Sequence, residues 1–260
     1  MNSMNKQINI QELLDWYIMA GVTETCSDSF CLSENTNTNI TPIASNHQNT
    51  VTEKSIQPKQ STASKNAKDI CAKASTLSEL KEIMNNFSGC NLKNTAASTV
   101  FGAGSDCAEI MFIGEAPGAD EDRLGLPFVG RCGKLLDKMF EAINIKREDC
   151  FITNVLPWRP PGNRAPTDEE IAVCLPFLMR QIELIKPKYI VLLGGIALKT
   201  VMESDDTISR ARGKWMEFSI LNECKANVIA TYHPSYLLRS TSQKSKVWID
   251  LLRLKKKLHE

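Results

Sequence analysis

The chain has 260 residues, 42% hydrophobic and 23% charged, a make-up that fits a folded globular protein and excludes a fibrous or wholly disordered one. Lys and Arg number 31 against 30 Asp and Glu, so no overall field draws a polyanion, and a nucleic-acid partner must be held by local patches. No run of about 18 apolar residues predicts a membrane span; the 9 scattered cysteines and the polar residues 1–7 predict free thiols in a reducing, cytoplasmic setting.

Along the chain, Ile10, Leu13, Leu14, Tyr17 and Ile18 stand at helical spacing and predict a short helical segment within residues 1–26. Residues 27–69 are rich in Asn, Thr, Ser and Gln. They carry too little apolar surface to offset the entropy of ordering, so a disordered linker is expected there. A compact domain follows over 70–260. Thr76-x-x-Glu79 is a capping box opening a helix through residue 84. Residues 110–113 form a buried strand, 135–145 a helix and 151–153 the next strand. Thr167-x-x-Glu170 caps a helix to residue 185, with Ile171, Cys174, Leu175, Leu178 and Ile182 on its apolar face. A strand over 189–193, a Gly194-Gly195 turn into another helix, a strand over 228–232 and a helix over 248–258 complete the series. Alternating strands and helices predict an α/β fold with a mostly parallel four-stranded sheet covered on both faces.

Open sheets of this class bind ligands beyond the carboxyl ends of their strands. The residues that follow the four apolar runs are Gly114-Glu115-Ala116-Pro117-Gly118, then Asn154, then the glycine pair, then His233-Pro234-Ser235. An acid, an amide, a glycine pair and an imidazole are thus expected on one rim. Singly each is weak: Asn154 caps a strand, His233 is a structural histidine, Phe128 a core aromatic. Together they predict an active site.

The segments Gly114-Glu115-Ala116-Pro117-Gly118, Leu126-Pro127-Phe128-Val129-Gly130-Arg131, Ile152-Thr153-Asn154, Arg159-Pro160-Pro161-Gly162-Asn163-Arg164 and His233-Pro234-Ser235-Tyr236-Leu237-Leu238-Arg239 occur in that order, within a similarity that spans roughly residues 87–258, about two thirds of the chain. In this combination the sequence resembles the family 4 uracil-DNA glycosylases. The resemblance implies a three-layer α/β/α sandwich, a DNA substrate containing uracil, and hydrolysis of the N-glycosidic bond after the base is flipped out, by a protein expected to be a monomer. It also implies site roles. Asn154 would read uracil, since a side-chain amide can donate to O4 and accept from N3–H, which cytosine cannot match. Phe128 would stack on the base, and Ala116 would belong to the wall beside C5. His233 would donate to O2, and Glu115 or Glu121 would activate water or offset the sugar cation, with Asn163 orienting a carboxylate or the water. Tyr236, Leu237 and Leu238 would fill the gap left in the stack, while Arg159, Arg164, Arg239, Lys244 and Lys246 would face phosphates.

One departure from the family concerns its [4Fe–4S] cluster, which four cysteines hold. The matching positions here are Phe87, Cys90, Trp158 and Cys174. Two bulky aromatics replace two ligands, so no cluster and no other cofactor is expected; Cys107, Cys132 and Cys150 would restore ligation only in another geometry. The competing reading of the whole chain is a DNA-binding paralogue that keeps the fold and has lost catalysis. A nucleoside-cleaving enzyme is a third, for which the 236–238 segment would have no use.

Overall fold

The computed structural model describes residues 62–220 and 224–260. In chain order the elements are α1 (Thr62–Cys71), α2 (Leu77–Asn86), β1 (Ala103–Gly104), β2 (Ile110–Gly114), α3 (Ala119–Leu124), α4 (Arg131–Ala142), β3 (Cys150–Asn154) and α5 (Asp168–Ile185). There follow β4 (Tyr189–Leu193), α6 (Gly195–Met202), α7 (Ile208–Ala211), β5 (Trp215–Ser219), β6 (Lys225–Thr231), α8 (Pro234–Arg239) and α9 (Lys244–Leu258).

The strands form one sheet in the order β1-β3-β2-β4-β6-β5. The inner four, β3, β2, β4 and β6, are parallel and are the four read from the sequence. The sheet has two more strands than expected, β1 and β5, each antiparallel at an edge. Strand β1 has only two residues, and β5 is exposed enough to lack a continuous apolar run. At that edge Lys225 Nζ donates to Glu217 Oε2 at 2.9 Å, and such charges discourage further strand pairing.

Successive strand residues point to opposite faces, which explains why the inner strands are apolar throughout. Met111, Ile113, Ile190, Leu192, Val228 and Ala230 enter one core with α1, α2, α5 and α6. Ile110, Phe112, Val191, Leu193 and Ile229 enter the other with α4, α8 and α9. Two cores on one sheet make the expected three layers.

Thr167 Oγ1 accepts from the Glu170 N–H at 3.2 Å and Glu170 Oε2 accepts from the Thr167 N–H at 2.9 Å, closing the capping box of α5. Thr76 caps α2 in the same way, but Glu79 reaches back to the N–H of Ser75. Helices α4 and α9 each begin four residues before the expected start, because polar first turns hide the apolar period there. The linker expectation is corrected at its end. Residues 62–69 belong to α1, which buries Ala67 and Cys71 in the first core and ties Ser64 Oγ to the Ala172 carbonyl at 2.9 Å. The expectations for residues 1–61 lie outside the described residues.

Candidate active site

Strands β2 and β4 lie side by side at the point where the strand order reverses, and their carboxyl ends open the crevice in which such sheets bind ligands. A cavity of about 320 Å³ sits there, lined by Glu115, Ala116, Glu121, Phe128, Asn154, Asn163, Arg164, His233 and Arg239 among others.

Its floor depends on Gly114. Gly114 pairs with Asn154 in register across β2 and β3. A Cβ on Gly114 would lie 2.4 Å from Asn154 Oδ1 and 2.6 Å from Phe128 Cζ, so only glycine lets the amide and the ring meet behind the strand end. Asn154 is 5% exposed, and its Oδ1 has no hydrogen-bond partner among the described residues. Leaving such an atom unpaired costs about 1–3 kcal/mol, which a binding site recovers when its ligand supplies the donor.

Phe128 occupies the left-handed region at φ 52°, an uncommon conformation for an aromatic residue. Its neighbours impose it. Glu121 Oε1 accepts from the N–H groups of Val129 at 3.0 Å and Gly130 at 2.8 Å, while Oε2 accepts from Gly118 N–H at 3.1 Å. Arg147 holds the Pro127 carbonyl at 2.7 Å, and the Phe128 carbonyl fills the space where a Cβ of Gly133 would stand, 1.8 Å away. Both oxygens of Glu121 are therefore engaged in fixing the loop that carries Phe128. Glu115 differs. Its carboxylate has no hydrogen-bond partner among the described residues, it is half-buried, and burial raises its pKa. The acid pair left open by the sequence is separated by these surroundings.

His233 follows β6 and caps α8. Its Nδ1 lies 3.1 Å from the Ser235 N–H and 2.8 Å from Ser235 Oγ. A backbone N–H can only donate, so Nδ1 accepts and the proton of the neutral ring resides on Nε2. Desolvation, assisted by the nearby charge of Arg239, lowers the pKa of His233 to about 4, which leaves the ring neutral at pH 7. Gly194, at φ +97°, donates its N–H to the Thr231 carbonyl at 2.9 Å and brings its α-carbon under His233, where a Cβ would approach to 3.1 Å. The rings of His233 and Phe128 stand 5.7 Å apart. Ser235 and Cys132 also line the cavity and were missed as site residues. Ser235 was readable as the second residue after a helix-capping histidine; Cys132 offered no signal beyond its place after the Phe128 motif.

The other expected residues divide between the cavity and its surroundings. Arg159 does not line the cavity; its Nε donates to Asn163 Oδ1 at 2.8 Å. Arg164 lines it but is paired with Glu170 through two bonds of 2.9 and 2.5 Å. Lys244 is buried, contrary to a phosphate role. Leu237 is 0% exposed within the second core, so it cannot fill a gap in a base stack: that reading is corrected. Tyr236 and Leu238 are half-buried against the same core, with the Tyr236 ring 4.9 Å from that of Tyr232.

The four positions matching the cluster ligands do converge. Phe87 stacks on Trp158 at 6.4 Å and meets Phe177 edge-on at 5.1 Å, and Trp158 Nε1 donates to Thr99 Oγ1 at 3.1 Å. Cys174 Sγ donates to Cys90 Sγ at 3.9 Å. That bond lowers Cys90 to about 7 and raises Cys174 well above the usual thiol range. Two thiols beside packed rings do not fit a cluster that needs four, and among the described residues no group of three or more His, Cys, Asp or Glu is placed to hold a metal ion.

The family model of the uracil DNA glycosylase superfamily matches residues 101–252. The chain is similar to the type-4 uracil-DNA glycosylase of Archaeoglobus fulgidus, 48% identical over 57% of this chain and 76% of that one. It is also similar to that of Thermotoga maritima, 43% identical over 64% and 88% of the two chains. The type-4 enzyme of Pyrobaculum aerophilum is 37% identical over 67% and 91%. The chain belongs to the uracil-DNA glycosylase superfamily, among its type-4 members.

Proposed function

We propose that this protein removes uracil from DNA by extruding the nucleotide into the strand-end cavity and hydrolysing its N-glycosidic bond. The observation that carries the reading is the meeting, in one cavity, of an unpaired buried amide, a neutral Nε2–H imidazole and a half-buried carboxylate. Asn154 reads the O4 and N3–H edge of uracil, and Phe128 stacks on the base, worth about 1–3 kcal/mol. Ala116 stands in the wall beside C5.

As the bond breaks, negative charge gathers on uracil O2 and positive charge on the sugar. His233 donates through Nε2 to that oxygen, and its neutral state spares the site a charge that water would have to reorganise around. Glu115 takes the proton of the attacking water and offsets the sugar cation; its raised pKa brings it nearer the working pH of a general base. Glu121 acts through the Phe128 loop. Asn163, held by Arg159, orients the water side of the cavity, and Arg239 meets a phosphate. The chain works without an iron–sulfur cluster, its place taken by the Phe87–Trp158–Phe177 packing. We further propose a monomer acting in the cytoplasm. Among the described residues no helix is long and apolar enough to cross a membrane.

The test is incubation with an oligonucleotide carrying one uracil, followed by alkali. Wild type gives cleavage at the uracil, and Asn154→Ala and His233→Ala each lower the rate about 10²–10³-fold, the usual effect of losing such a donor. Wild-type rates in both variants would refute the assignment.

A further inference from the structure

Leu237 is sealed in the core and Tyr236 and Leu238 are half-buried against it, so a side chain that stands free of the core is better placed to occupy the space an extruded base leaves behind. Such a wedge has to be apolar, exposed and close to the cavity mouth. Among the described residues the exposed large apolar side chains are Leu124, 51% exposed, and Leu126, 47% exposed. They are near neighbours. Leu124 ends α3, Gly125 turns the chain at φ +69°, and Leu126 follows. Glu121 precedes the pair by three residues and Phe128 follows it by two, and both line the cavity. Chain connectivity therefore keeps the two leucines within about 11 Å of backbone reach from its lining.

The loop is braced on each side. Gly125 N–H donates to the Glu121 carbonyl at 2.8 Å, and the buried Asp122 accepts from the N–H groups of Ala97 and Ser98 at 2.8 and 3.1 Å. Arg147 fixes the Pro127 carbonyl. A loop so firmly held that still presents two leucines to solvent is built for contact, whereas lone exposed leucines need no explanation. Positive charge is also at hand: Arg131 and Arg239 are exposed and make no ion pair among the described residues, Arg239 lines the cavity, and the exposed Asp120 of α3 is offset by Arg123 at 3.4 Å.

We propose that Leu124 and Leu126 are the wedge that enters duplex DNA beside the extruded nucleotide, with Arg131 and Arg239 on the flanking phosphates. This rests on the uracil-excision reading. The test compares wild type with the Leu124→Ser, Leu126→Ser double variant in single-turnover excision from single-stranded and duplex oligonucleotides of one sequence, with 2-aminopurine beside the uracil to report unstacking. In a single strand the base is already free. The duplex rate is expected to fall about 10–100-fold, as for an unstacking cost of a few kcal/mol no longer offset. The single-strand rate stays within about threefold, and the duplex 2-aminopurine rise is lost. An unchanged duplex-to-single-strand ratio overturns the wedge while leaving excision intact; absence of excision by wild type overturns both. If the serine pair lowers the urea midpoint, the Leu124→Gln, Leu126→Gln variant, which keeps side-chain length, is read by the same ratio.

Discussion

Gly114 and Asn154 show how narrow the tolerances are at the level of single residues. A methyl group at position 114 would meet both the Asn154 amide and the Phe128 ring, so Gly114→Ala is expected to keep the fold and lower uracil excision about 100-fold, the scale of an ångström-sized misplacement. Circular dichroism and single-turnover kinetics check the two halves of that statement. The two acids make a second contrast. Raising the pKa of Glu115 means that its base form is lost, as pH falls, at a higher pH than for an ordinary glutamate, while His233 protonates only near pH 4. With Glu115 as the proposed base, the acid limb of the rate profile is expected to follow its titration. Glu115→Gln should remove that limb and lower the rate about 10²–10⁴-fold. Glu121→Gln should lower the rate with the limb kept in place, because it acts through the Val129 and Gly130 N–H groups. A limb lost in the Glu121 variant would reverse the two roles. The sequence brought both acids to the rim on one motif and could not part them, since what parts them is hydrogen bonding to residues eight and nine positions away.

At the level of elements, the helix after His233 is a structural strut as well as a carrier of chemistry. Leu237→Ala is expected to cost about 2–5 kcal/mol in urea unfolding, as for other fully buried leucines, whereas the Leu124 and Leu126 variants should leave the midpoint unmoved. An unchanged midpoint for Leu237→Ala would place that side chain outside the core. The end of β6 is fastened separately. Asp250 pairs with Arg212 at 2.7 Å and accepts from Thr231 Oγ1 at 2.7 Å, two residues before His233. Asp250→Ala strands a largely buried arginine and should destabilise the fold by about 3–5 kcal/mol, measured in the same way. The inner strands were legible because both cores draw on them, giving unbroken apolar runs. Strand β1 was not, being two residues of Ala and Gly, and neither was β5, whose exposed edge leaves no simple alternation. Leu237 and Leu126 are both leucines in rim motifs; which is buried depends on α8 packing against α4, and no local pattern encodes that.

For the whole molecule, the three-layer fold gathers the four strand ends on one rim, so motifs scattered from Glu115 to His233 become neighbours. On the proposed cluster-free reading, the packing of Phe87 with Trp158 and Phe177 joins the segments that the family's cluster would otherwise tie together. Anaerobically purified protein should accordingly contain no iron or sulfide and show no absorbance band near about 400 nm; stoichiometric iron would contradict the replacement. The central claim, that this rim reads and releases uracil, is tested most directly by a crystal structure of the protein with abasic DNA and free uracil. It should place the base on Phe128, with Asn154 in hydrogen-bond reach of O4 and N3 and His233 Nε2 in reach of O2. Uracil bound elsewhere, or with Asn154 and His233 turned from it, would contradict the claim.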